Sequence, residues 1–143
     1  VAGWESNAVD NTSNLYQDYL ISGLVKTAAS NNQVGSVLVY IVALIADAVW
    51  PGVFDGTESA ETISLAGQRD AVCKLGAMIS VTNAASTEYA FGPFSVASLF
   101  GGVCPSKFVV FITGNATTTT TAQFAADTNI VTYKGVYSTV AQS

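Results

Sequence analysis

The sequence predicts an α+β fold: N-terminal helices over about 5–30, 34–50 and 57–80, packed on a small C-terminal β-sheet over about 107–140 and stapled by one disulfide. Three observations carry that expectation. Apolar residues in the first part of the chain recur at helical spacing. The clearest strands by propensity lie after residue 106. Breakers such as Pro51-Gly52, Gly101-Gly102 and Pro105 punctuate the segments between them.

In the first segment, Asp10, Asn11, Thr12 and Ser13 offer N-caps, and Leu15, Tyr19, Leu20, Leu24, Val25 and Ala28 share one side at a period of 3.6. The polar break Ser30-Asn31-Asn32-Gln33 follows. VGSVLVYIVALIADAVW, residues 34–50, is the most apolar stretch and has no polar face at either period. Its β-branched residues favour a strand, whereas its length and its ALIADA segment favour a helix, the reading adopted here. An element that is apolar on every side must be buried on every side. Asp55 and Glu58 stand in a D-x-x-E relation that predicts the start of the third helix. That reading makes Asp55, Glu58 and Glu61 helix N-terminal charge rather than a calcium loop, since the alternating oxygen ligands of such a loop are missing. Residues 81–106 read as short elements with Phe91, Phe94 and Phe100 in the core. KFVVFIT, 107–113, and NIVTYKGVYSTV, 129–140, read as strands, the second with a bulge near Gly135, and the threonines at 117–121 as an added strand or a polar loop.

The 143 residues read as one domain, 1–143. Half are apolar, and 5 Lys/Arg with 10 Asp/Glu make only 15 charged residues, where an average soluble chain of this length carries about 36. So little charge protects a free monomer poorly against association. The net charge is −5, and the five cations are scattered singly, which argues against direct binding of nucleic acid. There is no histidine, so Ser-His and Cys-His catalysis are excluded within the chain. Asp47, Asp70, Glu88 and Asp127 are carboxylates without a supporting motif, and no metal or cofactor site is expected. Residues 34–50 fall short of the roughly 20 residues of a membrane helix and lack flanking cations, so a membrane span is disfavoured.

Cys73 and Cys104 are expected to pair, closing a loop of about 32 residues worth roughly 3.7 kcal/mol in the chain-entropy view. Asn11 and Asn115 head N-x-S/T triplets and are candidate glycosylation sites. The chain starts at Val1, which predicts a mature form whose leader has been removed, located outside the cell or on a virion surface. Together these features predict a non-enzymatic structural subunit of a self-assembling extracellular filament, pilus-like fibre or viral coat or shell. Its partners would be copies of itself, with Val37, Leu38, Tyr40, Ile41, Leu44 and Ile45 as the candidate subunit contact. The alternative is a small secreted glycoprotein acting as a binding protein, effector, toxin or adhesin.

Overall fold

A computed structural model describes residues 2–29, 35–82, 85–115 and 129–138. The protein is a β-sandwich, not an α+β assembly: strand and bridge make up 55% of the described residues and helix 9%. Nine strands occur among them: β1 (Ala2–Glu5), β2 (Val9–Asp10), β3 (Asp18–Lys26), β4 (Gly35–Ala43), β5 (Ser59–Thr62), β6 (Cys73–Val81), β7 (Glu88–Ser95), β8 (Lys107–Asn115) and β9 (Ile130–Val136). Two short helices, α1 (Ala66–Val72) and α2 (Val96–Leu99), precede β6 and follow β7. The larger sheet runs β5-β1-β8-β4-β6, with β2 also paired to β8, and the smaller runs β7-β3-β9. All the pairings are antiparallel.

The stretch that lacked a polar face is β4, a strand rather than a helix. It lies between β8 and β6, and the sheet is covered on both sides. Val37, Val39 and Ile41 face the smaller sheet, packing with Phe108, Val110 and Ile112 of β8 and with Tyr19, Ile21 and Val25 of β3. Leu38, Tyr40 and Val42 face the opposite way, against Val109, Phe111, Phe54 and Ile63. A strand buried on both faces shows no period, because successive side chains alternate between two apolar cores. After Ala43 the chain turns tightly, with Ile45 and Val49 bonded to each other (N–O 2.9 Å).

The first predicted helix is replaced by β1, β2 and β3. In β3 the inward residues are Tyr19, Ile21 and Val25, while Leu20 and Leu24 lie on the other face beside Ser22 and Lys26. Leucines on the outer face imitated helical spacing. The D-x-x-E motif starts no helix: the Asp55 carboxylate accepts from the Thr57 N–H at 2.7 Å in a local turn. The third predicted helix divides into β5, the seven-residue α1 and β6. The two C-terminal strands are present, but β8 and β9 belong to different sheets. No register shift occurs at Gly135; its missing side chain makes room for the Tyr16 ring instead. The threonine run lies outside the described residues. Phe91 is buried, and Phe94 and Phe100 pack half-buried against the same core.

Both cysteines are free thiols, which overturns the predicted disulfide. Cys73 belongs to the outer core of the larger sheet, whereas Cys104 packs against the inner core, so the sheet itself stands between them. Burial pushes the Cys73 thiol up to about 12 and the Cys104 thiol up to about 11, the latter also raised by the nearby Asp18 charge.

Two outcomes follow from this architecture. Phe111 is fully buried with its ring 5.2 Å from Phe54 and 6.5 Å from Tyr40. Phe111→Ala should cost about 3–5 kcal/mol in denaturant unfolding, against about 0.5 kcal/mol or less for the exposed Leu75→Ala. Unfolding of the purified chain should be unchanged by reductant, and a thiol reagent at neutral pH should modify Cys73 only once the chain is unfolded, as read by mass spectrometry.

Candidate functional site

One end of the sandwich gathers the starts of β3, β6 and β8 and the ends of β4, β7 and β9. The registers Ala43–Phe108, Val42–Cys73, Asp18–Val136 and Leu20–Ser95 place these termini together within each sheet. The edge-on contact of the Tyr19 and Phe108 rings, 5.4 Å apart, joins the two sheets there. Leu15, Ile45, Val49, Val103 and Tyr137 emerge from this end, each between 51% and 76% exposed. Loops at the ends of sandwiches are where such folds carry function.

The loop that presents Leu15 is built on Asn11. This side chain is buried, its Oδ1 accepts from the Tyr16 N–H (2.8 Å) and the Tyr19 hydroxyl (3.2 Å), and its Nδ2 donates to the Tyr16 carbonyl (3.0 Å). The Leu15 N–H closes the turn on the Asn11 carbonyl at 3.0 Å. Leu15 has φ 50°, a left-handed conformation that a branched side chain adopts at a cost. The turn therefore holds a strained leucine out into solvent. Gly101 and Gly102, with φ 71° and 93°, shape the facing loop that presents Val103. Leu15, Tyr16, Val103 and Cys104 border a shallow depression of about 550 Å³, and Tyr137 lies against Tyr16 with ring centroids 6.1 Å apart.

Polar groups around this end are occupied within the chain. Asp18 accepts from the Ser95 hydroxyl (2.6 Å), the Ala97 N–H (2.7 Å) and the Tyr19 N–H (2.7 Å), tying α2 to β3. Gln17 Nε2 donates to Ser138 Oγ at 2.9 Å. Asp10 and Lys107 pair at 2.8 Å. The Lys107 ammonium, helped by the Thr12 hydroxyl and N–H, holds the Asp10 carboxyl down at about 2. The site is thus exposed apolar side chains on braced loops, beside a shallow depression whose polar lining side chains, Asn11 and Gln17, are bonded within the chain.

The candidate residues named from sequence divide. Val37, Leu38, Tyr40 and Ile41 are buried by the chain's own two cores, so a neighbour is not needed to cover them. Leu44 is half-buried, and Ile45 alone of the six is exposed, at the apolar end. Asn11 is buried, and its amide nitrogen, the atom a sugar would be linked to, donates to the Tyr16 carbonyl. Asn115 closes β8, and the remainder of its triplet lies outside the described residues. Asp70 pairs with Arg69 and Glu88 with Lys26, Asp47 is exposed in the turn after β4, and Asp127 is outside the described residues. Among the described residues no group of acids or cysteines is arranged to hold a metal, and no helix is long and apolar enough to cross a membrane. The sequence names none of Leu15, Val103 and Tyr137 as a contact residue, and Leu15 reads there as part of the buried stripe of a helix. The signal was available in Gly101-Gly102 beside an aliphatic residue, but burial of a lone Leu or Val is the ordinary outcome. No protein-family model, curated protein or solved structure matches the chain.

Asn11→Ala leaves the Tyr16 N–H and the Tyr19 hydroxyl without their acceptor. The expected loss is about 1–3 kcal/mol in denaturant unfolding, larger than for Thr12→Ala at the exposed neighbour.

Proposed function

We propose that the chain is a non-enzymatic structural subunit of a self-assembling extracellular filament, pilus-like fibre or viral coat or shell, with the apolar end of the sandwich as one contact between copies. One observation carries this reading: Leu15, Ile45, Val49, Val103 and Tyr137 are exposed together at one end, on loops braced from within. A small-molecule site is concave and keeps a few polar groups free to orient its ligand. Here the depression is shallow and its neighbouring polar groups, Asn11, Gln17 and Asp18, are bonded internally. The low charge of the chain supports the same reading, since 15 charged residues provide little electrostatic repulsion between copies.

Further apolar side chains are exposed elsewhere. Leu75 and Met78 lie on β6, an edge strand of the larger sheet, and Trp4 lies on β1. Leu75 and Met78 pair with Tyr40 and Leu38, which places them on the face of the sheet turned away from the smaller one. A lattice or filament subunit uses more than one patch, because contacts must propagate from copy to copy. A binding protein or adhesin, the second reading, needs one.

Sedimentation and negative-stain imaging across the micromolar range test the proposal. The expected result is reversible association into filaments or shells, with Leu15→Asp combined with Val103→Asp lowering the association constant by about tenfold or more. A monodisperse monomer throughout that range overturns it, and a monomer that binds a soluble partner through the same end favours the second reading.

A further inference from the structure

Glu5 is the buried charge that the apolar end does not use. It lies on β1 opposite Phe111 and Ser59, has no exposed surface, and turns toward the outer core of the larger sheet. Its Oε1 accepts from the Gly56 N–H at 2.7 Å, and the carboxylate is 3.3–3.4 Å from the Asp55 nitrogen. The same loop is tied again by Ala8 N–H to Gly56 O (2.9 Å) and by Glu58 N–H to Asn7 Oδ1 (3.1 Å). This segment is the cover of the outer core. Phe54 is buried edge-on to Phe111, and Trp50 stands over Gly56, where a side chain would strike its ring.

Among the described residues no cation pairs with Glu5. The ion pairs among the described residues are Lys26–Glu88, Arg69–Asp70 and Lys107–Asp10, all elsewhere. The charged groups that face it are like charges: Asp55, whose carboxylate turns to the Thr57 N–H, and Glu61 of β5, which accepts from the Ser59 hydroxyl at 2.6 Å. On β8 its register partner is the uncharged Phe111, and Arg69 of α1 is taken up by Asp70 and the face of Tyr40.

The geometry points to an acid-tightened clasp: protonated Glu5 holds the 50–58 cover over the outer core more firmly than ionised Glu5 does. An ionised carboxylate in this pocket is desolvated beside two other carboxylates, with two backbone N–H groups as its support. Burial, the largest cause, raises the Glu5 carboxyl above the ordinary glutamate value despite the Gly56 and Asp55 hydrogen bonds. A raised folded value means that the stabilisation is complete in acid below the unfolded value and is lost as pH rises through the folded value. The Asp10–Lys107 pair has the opposite sign: its contribution is present above the ordinary aspartate value and lost as pH falls toward about 2.

Amide hydrogen exchange, with intrinsic rates divided out, reads the clasp directly. In the full chain, protection of the Gly56 and Asp55 amides should fall as pH is raised above the ordinary glutamate value, while the Val39 amide in the centre of β4 should change less. Glu5→Gln keeps an oxygen for Gly56 and removes the charge, so its Gly56 protection should be independent of pH and at least equal to wild type near neutrality. Glu5→Ala should lose protection at every pH. A Gly56 protection that stays flat or rises with pH in the wild type, or a pH slope that survives in Glu5→Gln, overturns the proposal. Neither result depends on whether the chain assembles.

Discussion

The structure depends on the pairing of β4 with β8. The two strands run antiparallel over eight residues from Ser36–Asn115 to Ala43–Phe108, and both send large side chains to both faces. Such a pair cannot sit at the surface of a one-sided sheet. Val37, Val39, Ile41, Phe108, Val110 and Ile112 demand a second sheet, and β3 with its neighbours β7 and β9 supplies it. Leu38, Tyr40, Val42, Val109 and Phe111 demand a second cover on the opposite side. That cover is assembled from loop and short elements: Trp50, Phe54, Ile63 and Val72. β1 shows the tightness of the fit, since a Cβ on Gly3 would lie 2.5 Å from both the Phe111 ring and the Ile112 carbonyl. The chain's order of elements follows from feeding two cores from one central pair.

The same double burial explains what was legible in the sequence. The expectation that residues 34–50 are covered on every side holds for Val37–Val42, which are buried, and fails for Ile45–Val49, which are exposed in the turn after β4. What covers them was not readable. Absence of period fits a buried helix and a strand in a two-faced sheet equally well, and the choice between them rests on long-range partners in β8 and β6. β8 was legible because KFVVFIT combines β-branched and aromatic residues with breakers on its N-terminal side. β3 was misread because Leu20 and Leu24 occupy its outer face, so a residue pair spaced at four satisfied the helical template. The cysteines show the limit of counting: two thiols in one chain suggest a bridge, but placing them on opposite faces of one sheet forbids it.

The candidate site lay further from view. Nothing in Leu15 or Val103 as residue types distinguishes exposure from burial. Their display depends on a turn whose anchor, Asn11, looked from sequence like a sugar acceptor. The polar residue is structural and the apolar residues are presented, the reverse of the first expectation for a surface loop. A composition short of charge makes that reversal coherent, because surface that is not charged must be filled by small polar and apolar groups, and Leu15, Ile45, Val49, Val103 and Tyr137 are the apolar ones displayed at this end.

The outer cover is the weaker of the two supports for β4 and β8, and its chemistry differs from that of the inner one. The smaller sheet holds its face through three strands of backbone pairing and a continuous apolar core. The outer cover rests on a few side chains and on straps from β1 and the 5–8 segment, one of which ends in a buried carboxylate. Replacing Glu5 by an apolar side chain would leave the Gly56 N–H without a partner, so a polar acceptor is required at that position. A neutral amide would satisfy the N–H without the desolvation of a charge. A glutamate does so only when protonated, which makes the attachment of the outer cover sensitive to pH while the inner interface, built from uncharged side chains, is not. The least symmetric feature of the sandwich, one face closed by a sheet and the other by a strapped loop, is therefore also where its stability can be tuned without disturbing the β4–β8 pair.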